Sequence, residues 1–148
     1  MSQLAIIALA VVVADQAIKL MLRQYLGSRA VTLGPYGSVR VVAGRLWLRR
    51  IAGQSSALAS SVALWSVWVA AAFTLVTCSA FVPLTVVYVG LLLGASLSHA
   101  AESSLRGGIT DYICLRNRTV FNLADLALAG GAIGVIGNVV MILWQTLL

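Results

Sequence analysis

Two aspartates fourteen positions apart, Asp111 and Asp125, are the residues of this chain best placed to do chemistry. The protein has only four carboxylates, and these two flank a short polar stretch, Arg116-Asn117-Arg118. Asp125 opens an apolar segment that runs to Leu148 without another charge. A carboxylate in a membrane helix costs about 3 kcal/mol or more at mid-bilayer, so one that is kept usually has a task. If the polar stretch turns the chain back, Asp111 lies over the helix that starts near Asn122. Two carboxylates at short range cannot both ionise, and they share one proton. The ionised member takes a proton from water while the protonated member polarises a carbonyl. Such a pair hydrolyses an amide with no metal and no nucleophilic side chain. The structural alternative is that each aspartate pairs with an arginine or caps a helix.

The elements that would position this pair are membrane helices. Of 148 residues, 61% are hydrophobic and 9% charged, with a mean hydropathy of +1.00. A hydrocarbon core about 30 Å thick takes roughly 20 helical residues per crossing. No Lys, Arg, Asp or Glu lies between Arg50 and Glu102, which is length for two crossings. One more at each end gives four: from about Leu4, about Leu58 to Val82, about Leu84 to Ala101, and about Phe121 to Leu148. Gly90, Gly94, Ala95 and Ser96 suit close helix contact. The expected fold is an all-α membrane protein of one domain, residues 1–148. A small sheet of two or three strands on the membrane surface follows helix one, at about residues 27–56. There Gly34-Pro35-Tyr36-Gly37 marks a turn. Val31 to Leu33, Val39 to Val42 and Leu46 to Leu48 carry strand-like residues, and Tyr36 and Trp47 suit an interface.

The net charge of +6 does not indicate nucleic acid, because the basic residues are scattered and lack aromatics in register. Anionic lipid headgroups are the expected partner. Arg45, Arg49 and Arg50 suit phosphates or a peptide backbone. Cys78 and Cys114 match no metal spacing, and a lone His99-x-x-Glu102 is too few ligands for structural zinc. No cofactor is expected. Asp15 and Lys19 share a helix face and can pair, and Arg23 continues that face. In an up-down bundle the ends of helices one and three and the start of helix four lie on one side. That brings Asp15, Glu102, Asp111 and Asp125 to the same membrane face.

Three motifs resemble bacterial signal peptidase II, the lipoprotein signal peptidase: Asp15-Gln16-x-x-Lys19, Gly108-x-x-Asp111-Tyr112 and Phe121-Asn122-x-Ala124-Asp125. Their order and the four-span plan extend the resemblance over essentially the whole chain. It implies Asp111 and Asp125 as the catalytic dyad, Asn122 as a supporting residue, and cleavage of the signal peptides of lipid-modified preproteins. It places Asp15, Lys19, His99 and Glu102 as groups that tune the dyad, and Arg50 and Gly53 at the substrate. It also implies a bacterial inner-membrane location with the site near the outer face and both termini inside. The positive-inside rule alone would put the Arg-bearing connections in the cytoplasm; the family plan is followed here.

Two stretches depart from the family pattern. An Asn-x-Gly after the sheet is here Ile51-Ala52-Gly53. A Gly-Asn-x-x-Asp-Arg ending helix three is here Ser98-His99-Ala100-Ala101-Glu102-Ser103. These replacements imply a specialised substrate. The rival readings are a catalytically degenerate accessory subunit of a larger membrane complex and a proton or ion pathway. The carboxylates cluster at one end and form no chain across the bilayer, which opposes the pathway.

Overall fold

The structure is a computed structural model and describes residues 2–45, 57–81, 85–116 and 119–147. Four long helices form the body: α1 (Ser2–Tyr25), α2 (Ala57–Phe81), α3 (Val86–Arg106) and α4 (Leu123–Leu147). Gln3–Tyr25, Val86–Arg106 and Leu123–Leu147 are long and apolar enough to cross a membrane, and α2 contains the apolar stretch Trp65–Cys78. Their outer faces are apolar too: Ile6, Leu9 and Val13 on α1, and Ile133, Val140 and Trp144 on α4, are all exposed. Apolar residues turned outward from a bundle are lipid-facing by composition.

The middle of the bundle is α3, which packs on both α1 and α4. Glycines set how closely. A Cβ on Gly94 would stand 2.8 Å from Val11 Cβ and 2.9 Å from Ala8 Cα, so α1 can approach only a bare backbone. On the other side a Cβ on Gly131 would meet Tyr88 O at 2.9 Å. Gly107 ends α3 in the left-handed conformation (φ 72°), its N–H bonded to Ser103 O at 2.9 Å. That ending is favourable for glycine because it has no Cβ to clash. The helix therefore runs five residues beyond the Ala101 expected from the sequence, and carries Glu102 and Arg106 on its last turns.

The sheet after helix one is present, and it is larger than the sequence suggests. β1 (Ala30–Thr32), β2 (Gly37–Arg45), β3 (Gly108–Leu115) and β4 (Val120–Phe121) pair antiparallel in that order. Two of the four strands come from the segment between α3 and α4. In β3 the residues Thr110, Tyr112 and Cys114 are buried while those between them are less so. That is the period-2 alternation of a half-buried strand. Placing Thr and Asp in it hides the pattern from a hydrophobicity reading. Val39 pairs with Ile113 and Val42 with Asp111, so two residues of β2 oppose Tyr112 in a bulge. Leu46 to Leu48, Trp47, Arg49, Arg50, Ile51 and Gly53 lie outside the described residues, as do Asn117 and Arg118.

Candidate active site

Asp111 sits at the middle of β3, an inner strand, and Asp125 sits in the first turn of α4. Asn122, wholly buried between them, bonds to both. Its side-chain Nδ2 donates to Asp111 Oδ1 at 2.8 Å, and its backbone N donates to Asp125 Oδ2 at 2.8 Å. Asn122 Oδ1 in turn accepts from Asp125 N at 2.9 Å. This reciprocal pair is a capping box, with Asn at the N-cap and Asp three residues on. The helix-capping alternative is therefore true of Asp125, and the cap holds its carboxylate beside Asn122, whose amide reaches Asp111.

The first turn of α4 is fixed from three directions. Leu123 N donates to the Tyr112 hydroxyl at 2.9 Å, Ala124 N to Asp15 Oδ1 at 3.3 Å, and Asp125 N to Asn122. Sheet, first helix and N-cap each take one of the donors that a helix start leaves open. Burial pushes the Tyr112 hydroxyl up to about 12, so it stays protonated at neutral pH.

Behind this turn lies a buried ion network. Lys19 Nζ stands 2.7 Å from Asp15 Oδ2 and 2.7 Å from Glu102 Oε2, and all three side chains are fully buried. Glu102 Oε1 also accepts from Arg23 at 2.6 Å and meets Arg106 at 3.4 Å. Arg23 also bonds to the Thr110 hydroxyl. Ser98 Oγ donates to Asp15 Oδ2 at 2.6 Å, and Gln16 donates to Ser98 at 2.9 Å. Charges removed from water are tolerated when paired and hydrogen-bonded, and here every carboxylate oxygen of Asp15 and Glu102 has a partner.

His99 Nε2 stands 3.3 Å from Asn122 Oδ1 and 3.5 Å from Asp125 Oδ1. The Asp125 side chain is 38% exposed and that of His99 17%. Asp111 is held above the usual carboxylate range, chiefly by burial; the Asn122 hydrogen bond acts against that, the nearby Asp125 charge acts with it, and Lys19 and His99 oppose it. The structure thus gathers Asp111, Asp125, Asn122, His99, Asp15, Lys19 and Glu102 at one end of the bundle. Arg50 and Gly53 fall outside the described residues. Sequence reasoning missed Ser98, Thr110 and the Tyr112 hydroxyl as partners. Ser98 lies four residues before Glu102, one helical turn away, which is the only signal the spacing held for it.

Two carboxylates bridged by Asn122, one on a sheet and one at a helix start, lie at the end of an apolar bundle of the kind that membrane proteins have. The family model for signal peptidase II matches residues 7–143, and the chain belongs to that family of lipoprotein-processing membrane proteases. Two solved structures, each described as a bacterial membrane enzyme, share the fold. One has a TM-score of 0.73 at 17% identity, covering 97% of this chain and 93% of its own. The other has 0.72 at 17% identity, covering 98% and 89%. No curated protein sequence matches the chain.

Proposed function

We propose that this chain cleaves the signal peptides of lipid-modified preproteins by a two-aspartate mechanism, with a substrate preference of its own. The observation that carries the reading is Asn122, which bonds to Asp111 and Asp125 at 2.8 Å each. Asp111, whose carboxyl is held above its ordinary value by burial, keeps the shared proton. Asp125, 38% exposed, is the base. Asp125 takes a proton from water as the water oxygen bonds to the scissile carbonyl carbon, and Asp111 gives its proton to the carbonyl oxygen. Asp125 then passes its proton to the leaving amine as the C–N bond breaks, and Asp111 recovers its own. Asn122 holds the two carboxyls in register, and the network of Lys19, Asp15 and Glu102 holds the first turn of α4 through Ala124 N. Family membership supports the lipid-modified substrate. His99 and Ser103 at positions where the family carries Asn and Arg support a specialised one. The test is precursor processing in bacteria lacking their own signal peptidase II: the chain should restore processing of some lipoproteins and handle ordinary ones weakly. No processing of any precursor would remove the reading.

The pH profile follows from Asp111. Its Asn122 hydrogen bond favours the charged form, so Asn122→Ala should let Asp111 keep its proton to higher pH. The alkaline limb of kcat/KM then moves upward, while kcat falls because the cap is lost. An unmoved limb would assign the proton elsewhere.

All four helices span the membrane in this reading, with the sheet and dyad near the outer face of the bacterial inner membrane. Tyr36 and Leu105, 78% and 85% exposed, make good reporters. With Cys78 and Cys114 replaced, a cysteine at either position should react with an impermeant maleimide added from outside. Opposite accessibility of the two would break the four-span plan.

A further inference from the structure

A groove runs from His99, at the edge of the site, down the bundle between α2, α3 and the start of α4. Its upper chamber, about 270 Å³, is lined by His99, Ala100, Ser103 and Ile109. Its lower chamber, about 500 Å³, is lined by Ala72, Leu75, Cys78 and Leu92. Trp68, Ala71, Ser96 and Leu128 line both, so they mark where the two chambers meet. Three of these are small or aliphatic; Trp68 supplies the bulk. It is also held in place. Its indole Nε1 donates to Ser96 Oγ at 2.9 Å, Ser96 Oγ donates to Leu92 O at 2.7 Å, and the Trp65 ring stands edge-on to it at 5.7 Å.

The lining tells what the groove takes. The side-chain hydroxyls of Ser96 and Thr74 bond within the protein, Thr74 to Ala70 O at 2.9 Å, so among its described lining residues the lower chamber offers a peptide backbone no donor stronger than the Cys78 thiol. A helical peptide satisfies its own backbone, but at about 10 Å diameter and 5.4 Å pitch one turn fills roughly 420 Å³. The lower chamber would hold about one turn. An alkyl chain has neither requirement, and the upper chamber opens beside His99, which touches Asp125.

We infer that Trp68, pinned by Ser96, is a specificity-determining residue that limits the length of the substrate acyl chain seated in this groove. The inference rests on the lipoprotein-processing reading for the identity of the chain's owner. A short acyl chain ends above this junction. A long one must displace the indole and break its bond to Ser96, a loss that no water repairs in an apolar groove.

The test is photo-crosslinking in lipid nanodiscs, with Asp111→Asn chains so that the probe is not consumed. The probe is an S-acylglyceryl-cysteine peptide whose acyl chain, octanoyl or palmitoyl, ends in a diazirine. With Trp68 intact, the octanoyl tip should mark Ala100 and Ile109, and the palmitoyl tip should barely mark Leu75 or Cys78. Trp68→Ala should raise palmitoyl marking of Leu75 and Cys78 by on the order of tenfold. Ser96→Ala, which frees the indole and keeps its bulk, should give a smaller rise and serves if Trp68→Ala fails to fold. Equal marking of Leu75 and Cys78 with and without the pinned indole overturns the inference. So does marking by a diazirine phospholipid that the lipopeptide cannot compete away, which would make the groove a bilayer-lipid site. Crosslinking is read without cleavage, so a wild-type chain that cleaves no precursor defeats the proposed function and leaves the Trp68 result standing.

Discussion

Asp111→Asn and Asp125→Asn should each reduce precursor processing by on the order of 10⁴-fold, and the double variant should be little worse than either alone. Groups that act as one unit are non-additive, because removing either member already ends the shared chemistry. The two variants differ in their side effects. Asn at 111 can still accept the Asn122 amide, so the sheet and α4 should be undisturbed. Asn at 125 can still accept the backbone N–H of Asn122, so the cap survives and folding should hold. Loss of activity with unchanged thermal unfolding is the expected outcome, measured on purified chains in detergent with a lipidated precursor. Full processing with both aspartates replaced would sink the peptidase reading and return the accessory-subunit reading to first place.

The largest stability effect is expected at Lys19. Lys19→Met removes the cation that sits 2.7 Å from both Asp15 and Glu102 and leaves two buried carboxylates facing each other. Breaking a buried ion pair by removing one partner costs about 3–5 kcal/mol. Glu102 retains Arg23 and Arg106, so the penalty falls mainly on Asp15 and therefore on the Ala124 contact that steadies the dyad turn. Activity should fall with stability. Lys19→Met combined with Glu102→Gln should be less damaging than Lys19→Met alone, because one of the stranded charges is gone. A Lys19→Met chain within about 0.5 kcal/mol of wild type, the range of ordinary surface changes, would mean that the network carries no weight.

The parts of this site that could be read from sequence are those governed by fixed periods. Asp15 and Lys19 are one helical turn apart, and their pairing follows from 3.6 residues per turn. Glu102, Asp111 and Asp125 converge because alternate helix ends share a membrane face. Asn122 and Asp125 are spaced as N-cap and N3. The unread parts depend on contacts that no period fixes. β3 was concealed because Thr110 and Asp111 interrupt its apolar alternation, and a polar pair beside a Gly-Gly resembles a connection more than an inner strand. The third and fourth strands come from beyond two intervening helices, where local pattern gives no hint of pairing with β2. That Lys19 bridges two carboxylates, and that Ser98 completes Asp15, depends on the crossing of α1 and α3, which the bare backbones of Gly90 and Gly94 permit.

The wide separation of partners along the chain orders the protein's own biogenesis. Lys19 meets Glu102 across 83 residues, and Asp15 meets Ala124 across 109. At about 5–20 residues per second, α1 waits roughly 4–17 s for Glu102 to be made. During that wait Lys19 has only Asp15 to neutralise it, four residues back on the same helix, and the two can enter the bilayer as one uncharged unit. Asp125 is joined only after α1, α2, α3 and all of β1 to β4. No nascent chain that stops before α4 carries both aspartates, so the two carboxylates come together only when α4 docks against α1.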